Sequence, residues 1–259
     1  MGFKIAISGK GGVGKTTVAG VMARVLARRG QKVLVIDADP DSNLAAVIGV
    51  EESLLQTIRP LAQMDEFIKE RTEKKGEYGG FFKLNPRVDD IPETFSVEKD
   101  GVRLLVLGTI PRGGGGCFCA ENALLKGLLS HVLIERDEWV IVDMEAGLEH
   151  LGRGSTAYLD AFIVVVEPGK RSIQTARNVE KLAADLGVST VCVVGNKIRN
   201  DGDKRFIEEN ISDSPILGYL GFSEAVLDSD MKGAIPDQGD GTIADEVAVI
   251  VDRLMEVIP

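Results

Sequence analysis

Apolar residues along the chain fall into two kinds of pattern. Seven short, nearly unbroken runs are rich in β-branched residues: FKIAIS (Phe3 to Ser8), KVLVID (Lys32 to Asp37), VRLLVLG (Val102 to Gly108), EWVIVDM (Glu138 to Met144), AFIVVVE (Ala161 to Glu167), TVCVVGNK (Thr190 to Lys197) and PILGYLG (Pro215 to Gly221). A strand that is apolar on both faces suits a parallel sheet covered by helices on each side, so these runs predict buried strands. Between them, apolar positions return at helical spacing. Val18, Val21, Met22, Val25 and Leu26 mark a helix over Lys15–Arg29, with Gly30 as its stop. Further helices are predicted over Ala123–Arg136, Ile173–Leu186 and Ile243–Val257. Strand, crossover helix, strand is the order of a doubly wound, mainly parallel α/β fold. The stretch from Glu51 to Asp100 breaks this rhythm, and EFIKERTEKKGEYGG within it predicts a charged helix ending in an exposed turn. No repeat or second unit interrupts the pattern, so a single domain over 1–259 is expected.

Composition narrows the setting. The 259 residues are 44% hydrophobic and 27% charged, the balance of a globular rather than a disordered chain. A net charge of -10 argues against a nucleic-acid or anionic-membrane surface, since both need clustered Lys and Arg. No run approaches the roughly 18 apolar residues of a membrane span. MGFKIAISGK enters a strand directly, without the features of a signal peptide. Three cysteines do not make a disulfide framework. A cytoplasmic protein with reduced thiols is expected.

The first run leads into GKGGVGKTT, Gly9 to Thr17. Gly9, Gly14, Lys15 and Thr16 hold the spacing of a phosphate-binding loop, between a strand and a helix as that motif requires. The cradle comprises Gly9, Lys10, Gly11, Gly12, Val13, Gly14, Lys15, Thr16 and Thr17. Its backbone N–H groups and the helix N-terminus face the phosphates, Lys15 reaches the β- and γ-phosphates, and Thr16 can ligate Mg²⁺. Asp37 and Asp39 follow the second strand, at the edge where ligands gather in open α/β sheets. Either carboxylate can orient water or serve a magnesium shell, while Asp41 or Ser42 reads as a helix cap. Asp143 ends the run WVIVD and can hold magnesium-bound water; Gly147 can bring a backbone N–H to the γ-phosphate. Asn196 and Lys197 start like the guanine-reading Asn-Lys-x-Asp motif, but its fourth position is Arg199. Without that carboxylate, guanine selectivity loses its usual source and ATP is favoured.

An ordinary phosphate loop does not need a second lysine, yet Lys10 is there. GKGGVGKTT resembles the deviant P-loop of the ATPase group that includes the nitrogenase iron protein, MinD and ParA. The resemblance implies a P-loop NTPase fold and a homodimer in which Lys10 reaches the partner's nucleotide and stabilises the transferred phosphoryl group. Lys10, Lys15 and Asp39 would then be catalytic, with Asp39 orienting water. Thr16, Asp37 and Asp143 would serve Mg²⁺, and the segment holding Gly147 would be a switch. Asn196 would contact adenine.

Cys117 and Cys119 lie in GGGGCFCAEN. Cys-x-Cys closes too small a ring for a good dithiol switch, and two thiolates are half of a tetrahedral site. A two-fold axis would bring four sulfurs together, suited to Zn²⁺, Cu(I), an Fe–S cluster or Ni²⁺. Two unliganded loop thiols are the plainer alternative. Glu121 and Asn122 suit the start of the next helix, His131 a packing or surface role, and Cys192 the core; His150 follows the switch. GKGGVGKTT, DADPDSNL, CFCAEN, DMEAGLEHLGRG and EPGKRSIQTARNVEKLAADLG together resemble the CooC-type maturation ATPases of nickel-containing carbon monoxide dehydrogenase, over nearly the whole chain. This implies a metallochaperone-like, ATP-hydrolysing dimer with Ni²⁺ or Zn²⁺ at the cysteine pair. Its client would be carbon monoxide dehydrogenase or the related acetyl-CoA synthase. Two other classes stay open: an Fe–S electron donor resembling the nitrogenase iron protein, and a positioning ATPase resembling MinD or ParA. The first places its cysteines far apart, and MinD ends in a basic membrane helix, unlike the mixed, acidic tail IADEVAVIVDRLMEVIP.

Overall fold

All seven apolar runs form strands, and an eighth, too short to show a pattern, joins them. The computed structural model describes residues 2–39, 43–72, 86–108, 124–125, 127–132, 137–144, 159–185, 187–236 and 242–258. The chain begins with β1 (Lys4–Gly9), α1 (Lys15–Arg28) and β2 (Val33–Ala38). It continues through α2 (Leu44–Ile48), α3 (Glu52–Leu55), α4 (Asp65–Thr72), α5 (Ile91–Phe95), β3 (Val97–Lys99) and β4 (Val102–Val106). Helical residues 124–125 and 127–132 (α6) precede β5 (Trp139–Met144), β6 (Ala161–Val166), α7 (Lys170–Asp185) and β7 (Val191–Ile198). The chain closes with α8 (Asp201–Asn210), β8 (Ile216–Gly221), α9 (Glu224–Lys232) and α10 (Thr242–Val257).

The strands form one sheet in the order β3-β4-β2-β5-β1-β6-β7-β8. Every pairing is parallel except β3 with β4. Alternating side chains divide the core in two. Ile5, Ile7, Val33 and Val35 pack with α1, α2 and α10, while Ala6, Leu34, Ile36 and Phe162 pack with α4, α6 and α7. Strands buried on both faces account for the continuous apolar runs. Among the described residues, no helix is long and apolar enough to cross a membrane.

The differences from expectation are local. α7 starts at Lys170, before Ile173, because the Gly169 carbonyl accepts from the N–H groups of Ser172 and Ile173 at 3.0 and 3.1 Å. The predicted charged helix is present as α4, burying Ile68 and Thr72; the turn predicted after it lies outside the described residues. Parallel pairing sets Asp37 of β2 level with Asp143 of β5, next to Ile7 of β1, so both aspartates end at the edge where β1 opens into its loop.

Candidate active site

The loop from Gly9 to α1 turns at Gly9, Gly12 and Gly14, whose positive φ favours glycine. Gly14 precedes α1 at φ 92°, and a Cβ there would lie 2.4 Å from Asn196 Nδ2. Gly9 passes so close to β6 that a Cβ would meet the Val165 carbonyl oxygen at 2.5 Å. Val13 is fully buried and anchors the loop from beneath. α1 carries no acidic residue in its first turn, so its positive end stays uncompensated by the helix itself, as an anion site needs.

Behind the loop sits an all-oxygen cluster around one lysine. Lys15 is buried, with its Nζ 3.6 Å from Asp39 Oδ2. The Asp39 N–H donates to Asp37 Oδ1 at 3.3 Å. Asp143 is 0% exposed, and neither of its carboxylate oxygens has a hydrogen-bond partner. Burial pushes its carboxyl up to about 7. The charges of Asp37 and Asp39 add to the rise, while Lys15 and the Thr16 hydroxyl oppose it, although the Thr16 geometry falls short of a hydrogen bond. A buried, unpartnered carboxylate beside a hydroxyl and two further carboxylates fits a hard divalent cation such as Mg²⁺.

On the other side of the loop, Lys10 Nζ stands 3.6 Å from Glu167 Oε1, and Lys197 Nζ stands 3.9 Å from Oε2 of the same carboxylate. Asn196 Nδ2 donates to the Val13 carbonyl at 2.7 Å, and its Oδ1 accepts from the Lys197 N–H at 2.8 Å. The carboxamide of Asn196 is therefore partly engaged by the protein itself. A cavity of about 230 Å³ opens beside the loop, lined by Gly14, Thr17, Asn43, Val47, Asn196 and Phe222 among others. Arg199 stacks over the ring of Phe222 at 4.9 Å.

The sheet's opposite edge carries a wider hollow of about 800 Å³, lined by Lys32, Glu98, Arg103, His131, Asp137 and Glu138. Arg103 is ion-paired there with Glu138 and Glu93, so its charge is already compensated. Sequence reasoning missed Glu167, although a carboxylate ending an apolar strand run is the signal that singled out Asp37 and Asp143. Cys192 is fully buried in β7, with its thiol pushed up to about 11 by burial, and is a core residue. Cys117, Cys119, Glu121, Asn122, Gly147, His150, Asp41 and Ser42 lie outside the described residues.

Residues 4–236 match the family described as the CobQ/CobB/MinD/ParA nucleotide binding domain. The chain belongs to this family. The carbon monoxide dehydrogenase accessory protein CooC of Rhodospirillum rubrum is 46% identical to it over 231 residues, 89% of this chain and 88% of that protein. Solved structures of the MinD/ParA branch share its fold. MinD in the MinC:MinD complex of Aquifex aeolicus aligns with a TM-score of 0.69 at 22% identity, covering 98% of this chain and 96% of that one. A putative plasmid partition protein of Borrelia burgdorferi, bound to AMPPNP, aligns at 0.71 and 16% identity over 99% of both chains.

Proposed function

We propose that this chain hydrolyses ATP as a homodimer and couples hydrolysis to metal delivery in the maturation of a nickel–iron–sulfur enzyme. The observation that carries this reading is the 46% identity, over most of both chains, to a carbon monoxide dehydrogenase accessory protein. Carbon monoxide dehydrogenase, or the related acetyl-CoA synthase, is accordingly the client.

The geometry supports the hydrolytic half. Backbone N–H groups of the loop and the N-terminus of α1 hold the phosphates, and Lys15 exchanges Asp39 for the β- and γ-phosphate oxygens. Asp39, released, orients the attacking water. The water oxygen bonds to the γ-phosphorus as the bond to the β–γ bridging oxygen breaks, leaving ADP and inorganic phosphate. Thr16, Asp37 and Asp143 would hold Mg²⁺, which when bound neutralises charge on the β- and γ-phosphates. Lys10 acts on the partner's nucleotide, where a cation placed at the developing charge contributes in the manner of an arginine finger. The backbone N–H of Gly147 senses the γ-phosphate, and Asn196 faces adenine. Cys117 and Cys119 from both chains form a four-thiolate site for Ni²⁺ or Zn²⁺ as cargo, remade when ATP closes the dimer and opened by hydrolysis.

Anaerobic metal analysis with and without ATP, run alongside oligomeric state, tests the proposal. The ATP-bound form should be a dimer holding about one metal ion per two chains. Cys117→Ala/Cys119→Ala should lose the metal and keep nucleotide binding. A redox-active visible absorption with about four irons per dimer would replace metal delivery with electron donation. Tight ATP-dependent binding to DNA or liposomes without metal would replace it with positioning.

A further inference from the structure

Apart from the turn residue Asp100, Lys197 is the one non-glycine residue among the described residues with a positive φ, at 60°. The pairing of β7 with β8 slips at the same place, between Gly195 and Ile198. A bulge and a left-handed lysine together cost backbone stability, and such features persist where the surroundings over-determine them. The surroundings here are the phosphate loop. Lys197 Nζ donates to the Gly12 carbonyl at 2.5 Å, and the neighbouring Asn196 Nδ2 donates to the Val13 carbonyl at 2.7 Å. The Lys197 N–H, turned inward by the bulge, fixes the Asn196 carboxamide at 2.8 Å.

A loop whose N–H groups face a phosphate directs its carbonyls outward, where they need partners of their own. Asn196 and Lys197 supply those partners to two consecutive carbonyls at the loop's apex. We propose that Lys197 is a positioning residue of the nucleotide site, with the β7 bulge aiming its ammonium at the back of the loop so that the loop is preformed before nucleotide arrives. Glu167 holds the same ammonium from the far side, limiting its reach to the loop. The clamp also restricts base reading: Asn196 has one N–H and one lone pair left after its two protein contacts. This inference rests on the reading of the loop as the nucleotide site. Because the clamp acts on the loop rather than on the γ-phosphate, its loss weakens ADP and ATP alike and leaves the saturated rate nearly intact.

Lys197→Gly is the decisive variant, since glycine takes the left-handed conformation without strain while the ammonium is removed. Binding of ADP and ATP by calorimetry, steady-state hydrolysis and thermal unfolding are measured on the full chain. Affinity for both nucleotides should fall about tenfold, as for loss of a charge-assisted hydrogen bond, with KM for ATP raised in step. The value of kcat should stay within about twofold, and the unfolding midpoint should be unchanged or higher. Affinity within about twofold of the unsubstituted chain overturns the proposal. So does an affinity loss accompanied by a lower midpoint, which marks a merely structural role, or a fall in kcat at constant KM. If the unsubstituted chain binds neither nucleotide, it is the reading of the loop that fails.

Discussion

Asp143 concentrates the pH behaviour of the site in one carboxyl. Its native value of about 7 lies above that of an aspartate in an unfolded chain, ~4, so between those values the folded state holds more protons than the unfolded one. Stability of the nucleotide-free protein therefore falls as pH rises through this window, by an amount on the order of 4 kcal/mol for a rise of that size. Asp143→Asn should unfold at a higher temperature than the parent at about pH 8 and lose that advantage near pH 4, while hydrolysis is abolished. Melting curves across the pH range check this, and a parent midpoint that rises from pH 5 to 8 relative to Asp143→Asn would refute it. Lys10 calls for a different measurement. Its pair with Glu167 is part-exposed and worth only ~0–1 kcal/mol, so the side chain is easily released. Lys10→Ala should bind ATP at parental affinity yet hydrolyse it about 100-fold more slowly, and unchanged turnover would remove Lys10 from the mechanism. The gathering of Lys15, Asp37, Asp39 and Asp143 at one edge was legible, because strand-ending carboxylates beside a phosphate loop share the C-terminal side of a parallel sheet. The engagement of Lys197 with Gly12 was not. It depends on a bulge and on the order of β6 and β7 beside β1, and neither leaves a pattern in the residues.

The contact between α1 and α2 shows how an element can tune chemistry it does not perform. Gly20 sits on the buried face of α1, where a Cβ would lie 2.3 Å from Val47 Cγ1 and 3.0 Å from its Cβ. Valine is stiff at χ1 and cannot swing its branch aside, so a larger residue at 20 must push α2 outward. α2 follows directly on the Asp39 segment, and its Val47 and the preceding Asn43 line the cavity beside the loop. Gly20→Val should cost ~1–3 kcal/mol by overpacking and also weaken nucleotide binding. Urea unfolding and nucleotide titration together test the coupling; a destabilised variant with parental affinity would show that α2 moves independently of the cavity. Long elements such as α1, α7 and α10 were legible because three or more turns repeat the apolar spacing. The five-residue α2 and the three-residue β3 carry too few positions to establish a period. α9 was also unforeseen: Leu227 and Met231 lie on it exposed, so its apolar residues do not report a core-facing stripe.

Across the whole molecule, sheet order sets which stretches of chain must meet before the site exists. The class of fold was legible from strand runs alternating with helices, since parallel strands need crossovers. The order of strands was not, because equally apolar runs do not say which neighbour each will take. That order places β1, which comes first in the chain, between β5 and β6, with Lys4 to Ile7 paired to residues 140–143 and Ile5 to Gly9 paired to residues 161–165. During synthesis the phosphate loop therefore leaves the ribosome well before the strands that grip its root. Until β5 emerges, an apolar β1 lacks its first neighbour, and until β6 follows, its other edge stays open to chaperones and to aggregation. Ribosome-bound chains arrested before residue 161 should retain no ADP, whereas chains with α10 clear of the exit tunnel should capture it. Nucleotide would thus mark closure of the sheet around β1, and a shortage of it during translation would fall on the newest chains first.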